Sequence, residues 1–146
     1  MADTLCMSLP RMVIPGGTYL VTRSTVMSVF LLTPNETVNQ IVEYCLAWCA
    51  KKYGIVFHAV SVECTHVHIE LTDVLGRLSD FVQELNRCVA RCLLEYYRER
   101  FPECRLDALW SPAESFNATL LVNEHAILDK LVYPLTNPVK DGLVCD

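Results

Sequence analysis

The chain has 146 residues, enough for one domain with a continuous hydrophobic core, and 52% of them are apolar. No stretch approaches the roughly 18 consecutive apolar residues of a membrane span, and the first residues do not resemble a signal peptide, which predicts a soluble, cytoplasmic protein. The net charge of −5 argues against broad, non-specific binding to nucleic acid, so any DNA contact has to depend on a local basic patch.

The first half of the chain predicts two strands around a helix. Residues 18–32 are rich in β-branched and aromatic side chains, which is typical of a long strand or a bent hairpin arm. After the cap cluster at 34–37, apolar residues recur at helical spacing from Val38 to Tyr53, and Gly54 ends that helix. Residues 55–62 then predict a second strand.

The second half predicts two more strands and two helices. Residues 65–72 alternate between polar and apolar side chains, as a half-buried strand does. A long amphipathic helix is predicted from Leu78 to about Arg100, a strand over 115–122, and a last helix from Glu124 to about Asn137. The order β-α-β-β-α-β-α predicts an α+β fold of the ferredoxin-like sandwich type, with an antiparallel sheet and helices packed on one face.

His66 and His68 are the first candidates for chemistry. Two positions apart on a strand, they point the same way from backbone positions about 7 Å apart. Both imidazoles can reach one divalent metal ion, although a third ligand has to come from elsewhere. The alternative is a pair of ordinary half-exposed strand histidines. Glu63 and Glu70 are nearby and are predicted either to orient the imidazoles or to be exposed strand-end charges.

Tyr133 and Asn137 are the second pair of candidates. They are four residues apart on the last predicted helix and therefore share a helical face. A tyrosine hydroxyl can attack a phosphodiester, and an asparagine carbonyl can complete a metal shell. The alternative is an amphipathic rim tyrosine followed by the asparagine of a helix stop before Pro138.

Four motifs, in order, resemble those of the REP-associated tyrosine transposases, a group of single-tyrosine transposases. The first, GIVFHAVSVECTHVHIELTD, is similar to the strand and "PNHVH"-like motif of that family, and LSDFVQELNRCVAR is similar to its next helix. Leu109-Trp110 corresponds to a following "LW", and LVYPLTNPVKDGLV resembles the signature "RYIxLNPVRAGLV". The resemblance extends from about Pro10 to Val144, nearly the whole chain.

The resemblance implies a His-hydrophobe-His (HUH) fold and its chemistry. His66 and His68 would bind Mg²⁺ or Mn²⁺ with Asn137 as third protein ligand, and Tyr133 would be the catalytic nucleophile. The protein would act as a transposase and single-strand DNA endonuclease that joins strands through a 5′-phosphotyrosine intermediate. Its partner would be single-stranded or hairpin DNA. Related insertion-sequence transposases work as dimers and the REP-associated ones as monomers, so the resemblance implies either a monomer or a homodimer.

Some features depart from the family pattern. Cys64-Thr65 replaces the usual Pro-Asn before the first histidine, and Pro134 directly follows the tyrosine, where a proline removes a helical hydrogen bond. The sequence stops soon after Val144, so the single HUH-like domain over 1–146 is expected to lack a C-terminal extension. Pro134 favours one alternative, a catalytically impaired relative that binds DNA sequences or hairpins. The net charge of −5 favours another, a metal-binding protein that never contacts DNA.

Basic residues form a modest candidate DNA surface. Arg11 and Arg23 flank the first strand, and Arg87 and Arg91 are one turn apart on the long helix. The alternative is a solvated helix face balanced by neighbouring glutamates.

Eight cysteines are present without a C-x-x-C pair. The pairs Cys45/Cys49 and Cys88/Cys92, both at i, i+4, predict small buried side chains on helix faces, with a structural zinc site as the less favoured alternative.

Overall fold

The computed structural model describes residues 12–112 and 116–140, without the side chains at 133–135 and 137–140. Four antiparallel strands form one sheet in the order β2-β3-β1-β4. The strands are β1 (Gly17–Ser24), β2 (Ile55–Val62), β3 (His66–Asp73) and β4 (Asn117–Leu120), and the helices are α1 (Glu36–Tyr53), α2 (Leu78–Arg100) and α3 (Glu124–Lys140). The predicted α+β fold class with an antiparallel sheet is confirmed.

The first strand is shorter than its composition predicts. β1 ends at Ser24, and the chain turns through a short 3-10 segment in which Met27 and Ser28 have positive φ angles of 50° and 53°. The hydroxyl of buried Thr25 lies 2.7 Å from the carbonyl oxygen of Val29, which closes this turn. The prediction of a long strand or bent hairpin arm over 18–32 is therefore wrong beyond Ser24, because the apolar residues of 25–32 belong to a turn and to the core rather than to the sheet.

Helix α1 begins and ends where its capping residues predict. The Asn35 side chain accepts a hydrogen bond of 2.9 Å from the Val38 amide, as an N-cap residue does. At the other end, Gly54 has a φ of 68°, a left-handed conformation that glycine adopts without strain. Because Gly54 ends α1, β2 begins at the next residue, Ile55.

The core lies between the sheet and two helices. Val67 and Ile69 of β3 line the same small cavity as Leu46 of α1 and Leu85 of α2, so both helices cover the sheet face opposite to His66 and His68. The third helix contacts β2 and β3. The charge of its Lys130 lowers the pKa of the His68 imidazole, and α1 and α2 cover the opposite face, so α3 packs on the histidine side of the sheet. The predicted packing of helices on one face of the sheet is therefore correct for α1 and α2.

Helix α3 is longer than predicted. It continues past Asn137 to Lys140, and its backbone passes through positions 134 and 138, both of which are prolines. The φ angle of proline is compatible with a helix even though its missing amide costs a hydrogen bond. Within residues 12–112 and 116–140, none of the helices combines the length and apolar character that crossing a bilayer requires.

The cysteines of α1 behave as the spacing predicts. Cys45 and Cys49 are buried free thiols, and burial raises the pKa of each to about 12. Cys92 of α2, in contrast, is exposed. Among the described residues, the group of three or more potential metal ligands that lies close together contains no cysteine, so nothing there supports the zinc alternative.

Asp73 at the end of β3 caps the first turn of α2, and we expect its loss to destabilise the protein. Its buried carboxylate accepts hydrogen bonds from the amides of Arg77 (2.9 Å) and Leu78 (2.7 Å). Asp73→Ala leaves both amides unpaired and should lower the free energy of unfolding by about 2 kcal/mol in a urea titration. Asp80→Ala, which removes an exposed carboxylate from the same turn, should cost about 0.5 kcal/mol or less. Equal losses for the two variants would contradict this assignment.

Candidate metal centre

The β2–β3 hairpin places three potential ligands on one face of the sheet. Val62 pairs with Val67 in the strand register, and one step nearer the turn the Glu63 amide donates a 2.8 Å hydrogen bond to the His66 carbonyl oxygen. Because opposed residues of an antiparallel pair project to the same side, Glu63 shares the face of His66 and His68. The tight turn between the strands therefore adds a carboxylate to the histidine pair.

The three side chains converge on a common point. Each offers one ligand atom, and these atoms all lie within 4.8 Å of one another. His66 Nε2 lies 2.8 Å from Glu63 Oε2, and His68 Nε2 lies 3.9 Å from Glu63 Oε1. The two imidazole rings meet edge-on with centroids 4.7 Å apart. The carboxylate thus faces the same nitrogen, Nε2, of both histidines.

The second ring nitrogen of His66, Nδ1, contacts a side chain other than Glu63. Nδ1 lies 3.0 Å from the Thr65 hydroxyl, a contact that leaves Nε2 facing Glu63. The His66 side chain is 33% exposed and that of Glu63 only 12%, so the group is partly enclosed but open on one side. Such a site can admit an ion or a phosphate oxygen.

Backbone hydrogen bonds connect the segment that follows β1 to the turn between β2 and β3. The Thr25 amide donates to the Thr65 carbonyl oxygen at 2.8 Å, and the Leu32 amide donates to the Cys64 carbonyl oxygen at 3.0 Å. The buried Thr25 hydroxyl lies a further 3.1 Å from the same Thr65 oxygen. These contacts fix the turn that separates Glu63 from His66, and a fixed backbone preorganises the side chains that it carries.

The surroundings of His68 favour its neutral form. Burial lowers the pKa of the imidazole, and the positive charges of His66 and Lys130 lower it further, while Glu63 acts in the opposite direction. A neutral imidazole is the form that binds a metal ion. At neutral pH, His68 is therefore in the protonation state that a ligand requires.

The donor set fits a divalent cation. Metal–nitrogen and metal–oxygen bonds of about 2.0–2.2 Å require ligand atoms roughly 3 Å apart, and the ligand atoms of these three side chains all lie within 4.8 Å of one another. Two imidazoles and one carboxylate suit several divalent transition metals, and carboxylate oxygen also suits Mg²⁺ and Mn²⁺. Among the described residues, this is the group that meets these conditions.

Glu70, next to His68 on the same face, is buried rather than at an exposed strand end. The residue is 1% exposed, and among the described residues neither carboxylate oxygen has a hydrogen-bond partner. Burial raises the pKa of Glu70, and the charge of His58 only partly offsets this effect. Burial therefore stabilises the protonated form of the Glu70 carboxyl relative to its ionised form.

We expect Glu70→Gln to stabilise the protein at neutral pH. A raised pKa means that the folded state holds this proton more tightly than the unfolded state, so the contribution of Glu70 to stability is complete below pH 4.5 and is lost as the pH rises through the folded pKa. Glutamine imitates the protonated form and should raise the free energy of unfolding at pH 7 by roughly 1 kcal/mol. Urea titrations should show this gain in stability shrinking toward pH 4.5. Glu43→Gln, which replaces an exposed glutamate of α1, should show neither the gain at pH 7 nor the change with pH.

The structure describes Tyr133 and Asn137 only through the backbone of α3. Both positions belong to the helix that contacts β2 and β3, and their side chains lie outside the description. Lys130, three residues before Tyr133, influences the pKa of His68. The helix that carries the two candidates therefore packs against the strands that form the candidate metal centre.

The three predicted DNA-binding arginines that the structure describes are not brought together at this centre. Arg87 and Arg91 are exposed on α2, on the other side of the sheet, and Arg87 forms a 2.6 Å ion pair with Glu84. Arg23 donates to the Ser111 carbonyl oxygen at 3.1 Å. Its guanidinium also lies over the ring of Trp110. Arg11 lies outside the described residues. A DNA-binding role for these four arginines stays a prediction.

Comparison with solved structures shows which fold this is. A REP-associated tyrosine transposase bound to a REP hairpin superposes with a TM-score of 0.70 at 21% identity, over 94% of this chain and 75% of that one. A candidate transposase from Deinococcus radiodurans superposes with a TM-score of 0.57 at 23% identity, over 90% of this chain and 97% of that one. The chain has the fold of these transposases. No family model matches it, and no curated protein matches it by sequence.

The family resemblance carried by the four motifs is thereby supported at the level of the fold. The sequence pattern identified His66 and His68 as candidate ligands, whereas Glu63 was predicted either to orient the imidazoles or to be an exposed strand-end charge. The signal that could have identified Glu63 was the two-residue turn Cys64-Thr65, because a hairpin of that length pairs Glu63 directly with His66.

Proposed function

We propose that this protein is a transposase that cleaves and rejoins single-stranded DNA through Tyr133, with a divalent cation, Mg²⁺ or Mn²⁺, held by the histidine pair. The observation that carries the proposal is the packing of α3 against β2 and β3, the strands that bear the candidate metal centre, on a transposase fold. Lys130 lowers the pKa of His68, and positions 130, 133 and 137 recur at the spacing of one helical face. This spacing supports a role for Tyr133 and Asn137 beside His68.

In the proposed reaction, the phenolic oxygen of Tyr133 attacks the phosphorus of a phosphodiester. The phenol loses its proton as its oxygen bonds to phosphorus, the bond from phosphorus to the 3′-oxygen breaks, and the leaving 3′-oxygen takes up one proton to become a free 3′-OH. The product is a 5′-phosphotyrosine, and attack by another 3′-OH reverses the step and joins two strands. A bound divalent cation would supply stabilisation for the negative charge that develops on the phosphate.

Each of the proposed active-site residues has its own task in this reaction. His66 and His68 hold the cation, Asn137 contributes its carbonyl oxygen, and Tyr133 supplies the nucleophile. Single-stranded or hairpin DNA is the proposed substrate because a solved structure of this fold binds a REP hairpin. With a net charge of −5, recognition of a small, shaped DNA element suits the chain better than wrapping of duplex DNA.

The direct test is isolation of the covalent adduct. The purified protein is incubated with Mn²⁺ and a labelled pool of DNA hairpins that carry randomised single-stranded flanks, and SDS-stable protein–DNA complexes are recovered and sequenced. The proposal expects an adduct whose DNA is attached through its 5′-phosphate and that requires the cation. Absence of any adduct across the pool would reject strand cleavage by this protein.

The same pool tests a non-catalytic role. Pro134, directly after the nucleophile, is the observation that favours a hairpin-binding module without cleavage, since a proline within a helix removes a backbone hydrogen bond. Retention of hairpins by the protein in a filter-binding assay, with no SDS-stable adduct, would establish this second function. Affinity that does not fall as salt rises would instead indicate binding without phosphate contacts.

A further inference from the structure

We propose that Glu63 is itself a ligand of the cation, so that the β2–β3 hairpin holds the ion through His66, His68 and Glu63 and does not require Asn137 for binding. The inference deepens the metal-binding part of the proposed function and rests on it. It concerns a residue outside the histidine pair and the tyrosine helix.

The first argument is the side of the imidazoles that Glu63 faces. A carboxylate that merely orients a metal-binding histidine contacts the ring nitrogen that does not bind the metal. Here the Nδ1 atom of His66 already contacts the Thr65 hydroxyl at 3.0 Å, and the Glu63 carboxylate lies 2.8 Å from Nε2. Glu63 therefore occupies the ligand side of the ring, where a cation would replace the proton between the two atoms.

The second argument is that one carboxylate serves both histidines. Its Oε2 faces His66 Nε2, and its Oε1 faces His68 Nε2 at 3.9 Å. An ordinary histidine–glutamate ion pair engages one imidazole. The arrangement of two nitrogens around one carboxylate, all within 4.8 Å, matches the face of a coordination sphere with its remaining positions open to water and phosphate.

The third argument is that the hairpin is preorganised without α3. The Cys64 and Thr65 carbonyl oxygens are held by the amides of Leu32 and Thr25, so the backbone positions of Glu63 and His66 are set by the sheet and by the segment after β1. A ligand set carried by one clamped hairpin loses little conformational entropy when it binds an ion. The cation can thus be loaded before DNA and independently of α3.

A carboxylate ligand also changes the charge of the centre. Two neutral imidazoles leave the full double charge on the cation, whereas Glu63 reduces it to a net single positive charge. The carboxylate is a hard oxygen donor and strengthens binding of Mg²⁺ and Mn²⁺, which imidazoles alone hold weakly. The site gains affinity for these ions and still attracts a DNA phosphate.

The test is Mn²⁺ binding by the full chain without DNA. Free Mn²⁺ is followed by its electron paramagnetic resonance signal, and the heat of binding by titration calorimetry. We expect Glu63→Gln to weaken binding by at least about 10-fold, because glutamine keeps the size but loses the charge. The exposed control Glu43→Gln should remain within about twofold of the wild type, and Asn137→Ala should weaken binding less than Glu63→Gln does. Circular dichroism checks that each variant is folded.

A second measurement uses the unaltered protein. Addition of Mn²⁺ should shift a carboxylate stretching band in the infrared difference spectrum, a signature of direct coordination that an orienting role does not produce. Wild-type affinity in Glu63→Gln, or loss of binding in Asn137→Ala alone, would overturn the inference while leaving the metal site intact. No Mn²⁺ binding by the wild type would overturn both. Failure to form a DNA adduct, with Glu63-dependent binding retained, would reject only strand cleavage.

Discussion

Tyr133→Phe is expected to abolish the covalent protein–DNA adduct. Phenylalanine keeps the ring but removes the hydroxyl oxygen that forms the bond to phosphorus, so the attack has no substitute among the groups that remain. The rate of adduct formation with Mn²⁺ and the hairpin pool should fall by roughly 10³-fold or more, whereas hairpin affinity should change little. Quenched-flow sampling followed by denaturing gels measures the first quantity, and filter binding the second.

Tyr44→Phe provides the matched control for this experiment. Tyr44 is 69% exposed on α1, which covers the sheet face opposite to the histidines, so its hydroxyl should be dispensable for cleavage. An adduct that persists in Tyr133→Phe would show that another group is the nucleophile. Loss of the adduct in both variants would point to a general effect on folding or DNA binding instead.

Replacement of both histidines, His66→Ala with His68→Ala, is expected to eliminate metal binding and strand cleavage together. The two imidazoles provide the nitrogen ligands, and Glu63 alone cannot hold a divalent cation against solvent. Mn²⁺ affinity should fall by more than about 100-fold in calorimetry, and adduct formation should fall in parallel. Because His68 is half-buried, circular dichroism should accompany each measurement.

His58→Ala is the control for the histidine replacements. His58 lies on neighbouring β2 and is exposed, and its Nε2 atom lies 2.7 Å from the Thr72 hydroxyl rather than at the candidate metal centre. Its loss should leave Mn²⁺ affinity within about twofold of the wild type. If the double variant bound Mn²⁺ as tightly as His58→Ala does, the ion would bind elsewhere and the assignment of the centre would be wrong.

Local chemistry explains why much of the fold was predictable. The Asn35 cap, the left-handed Gly54 and the apolar stripe of α2 each depend on residues close together in the chain. β2 was predicted with its observed bounds, and α2 with its observed start and end, for the same reason. The alternation around Val67 also placed His66 and His68 on the face away from the core, as the structure has them.

Where local preference competes with tertiary contacts, the same reasoning failed. Residues 25–32 have the composition of a strand, but Thr25 binds the hairpin turn and Leu31 and Leu32 enter the core, so the chain turns away from the sheet. Glu70 has the sequence context of an exposed charge on a polar face, and yet it is 1% exposed. Burial of this kind depends on how elements distant in sequence pack together.

The histidine pair illustrates the division between sequence and structure. The alternating pattern by itself determined that His66 and His68 share one face, because side chains on a strand project to opposite sides in turn. Only the tertiary structure decided that Glu63 faces both Nε2 atoms and that α3 approaches from the same side, since strand register and helix packing arise from contacts between separate segments.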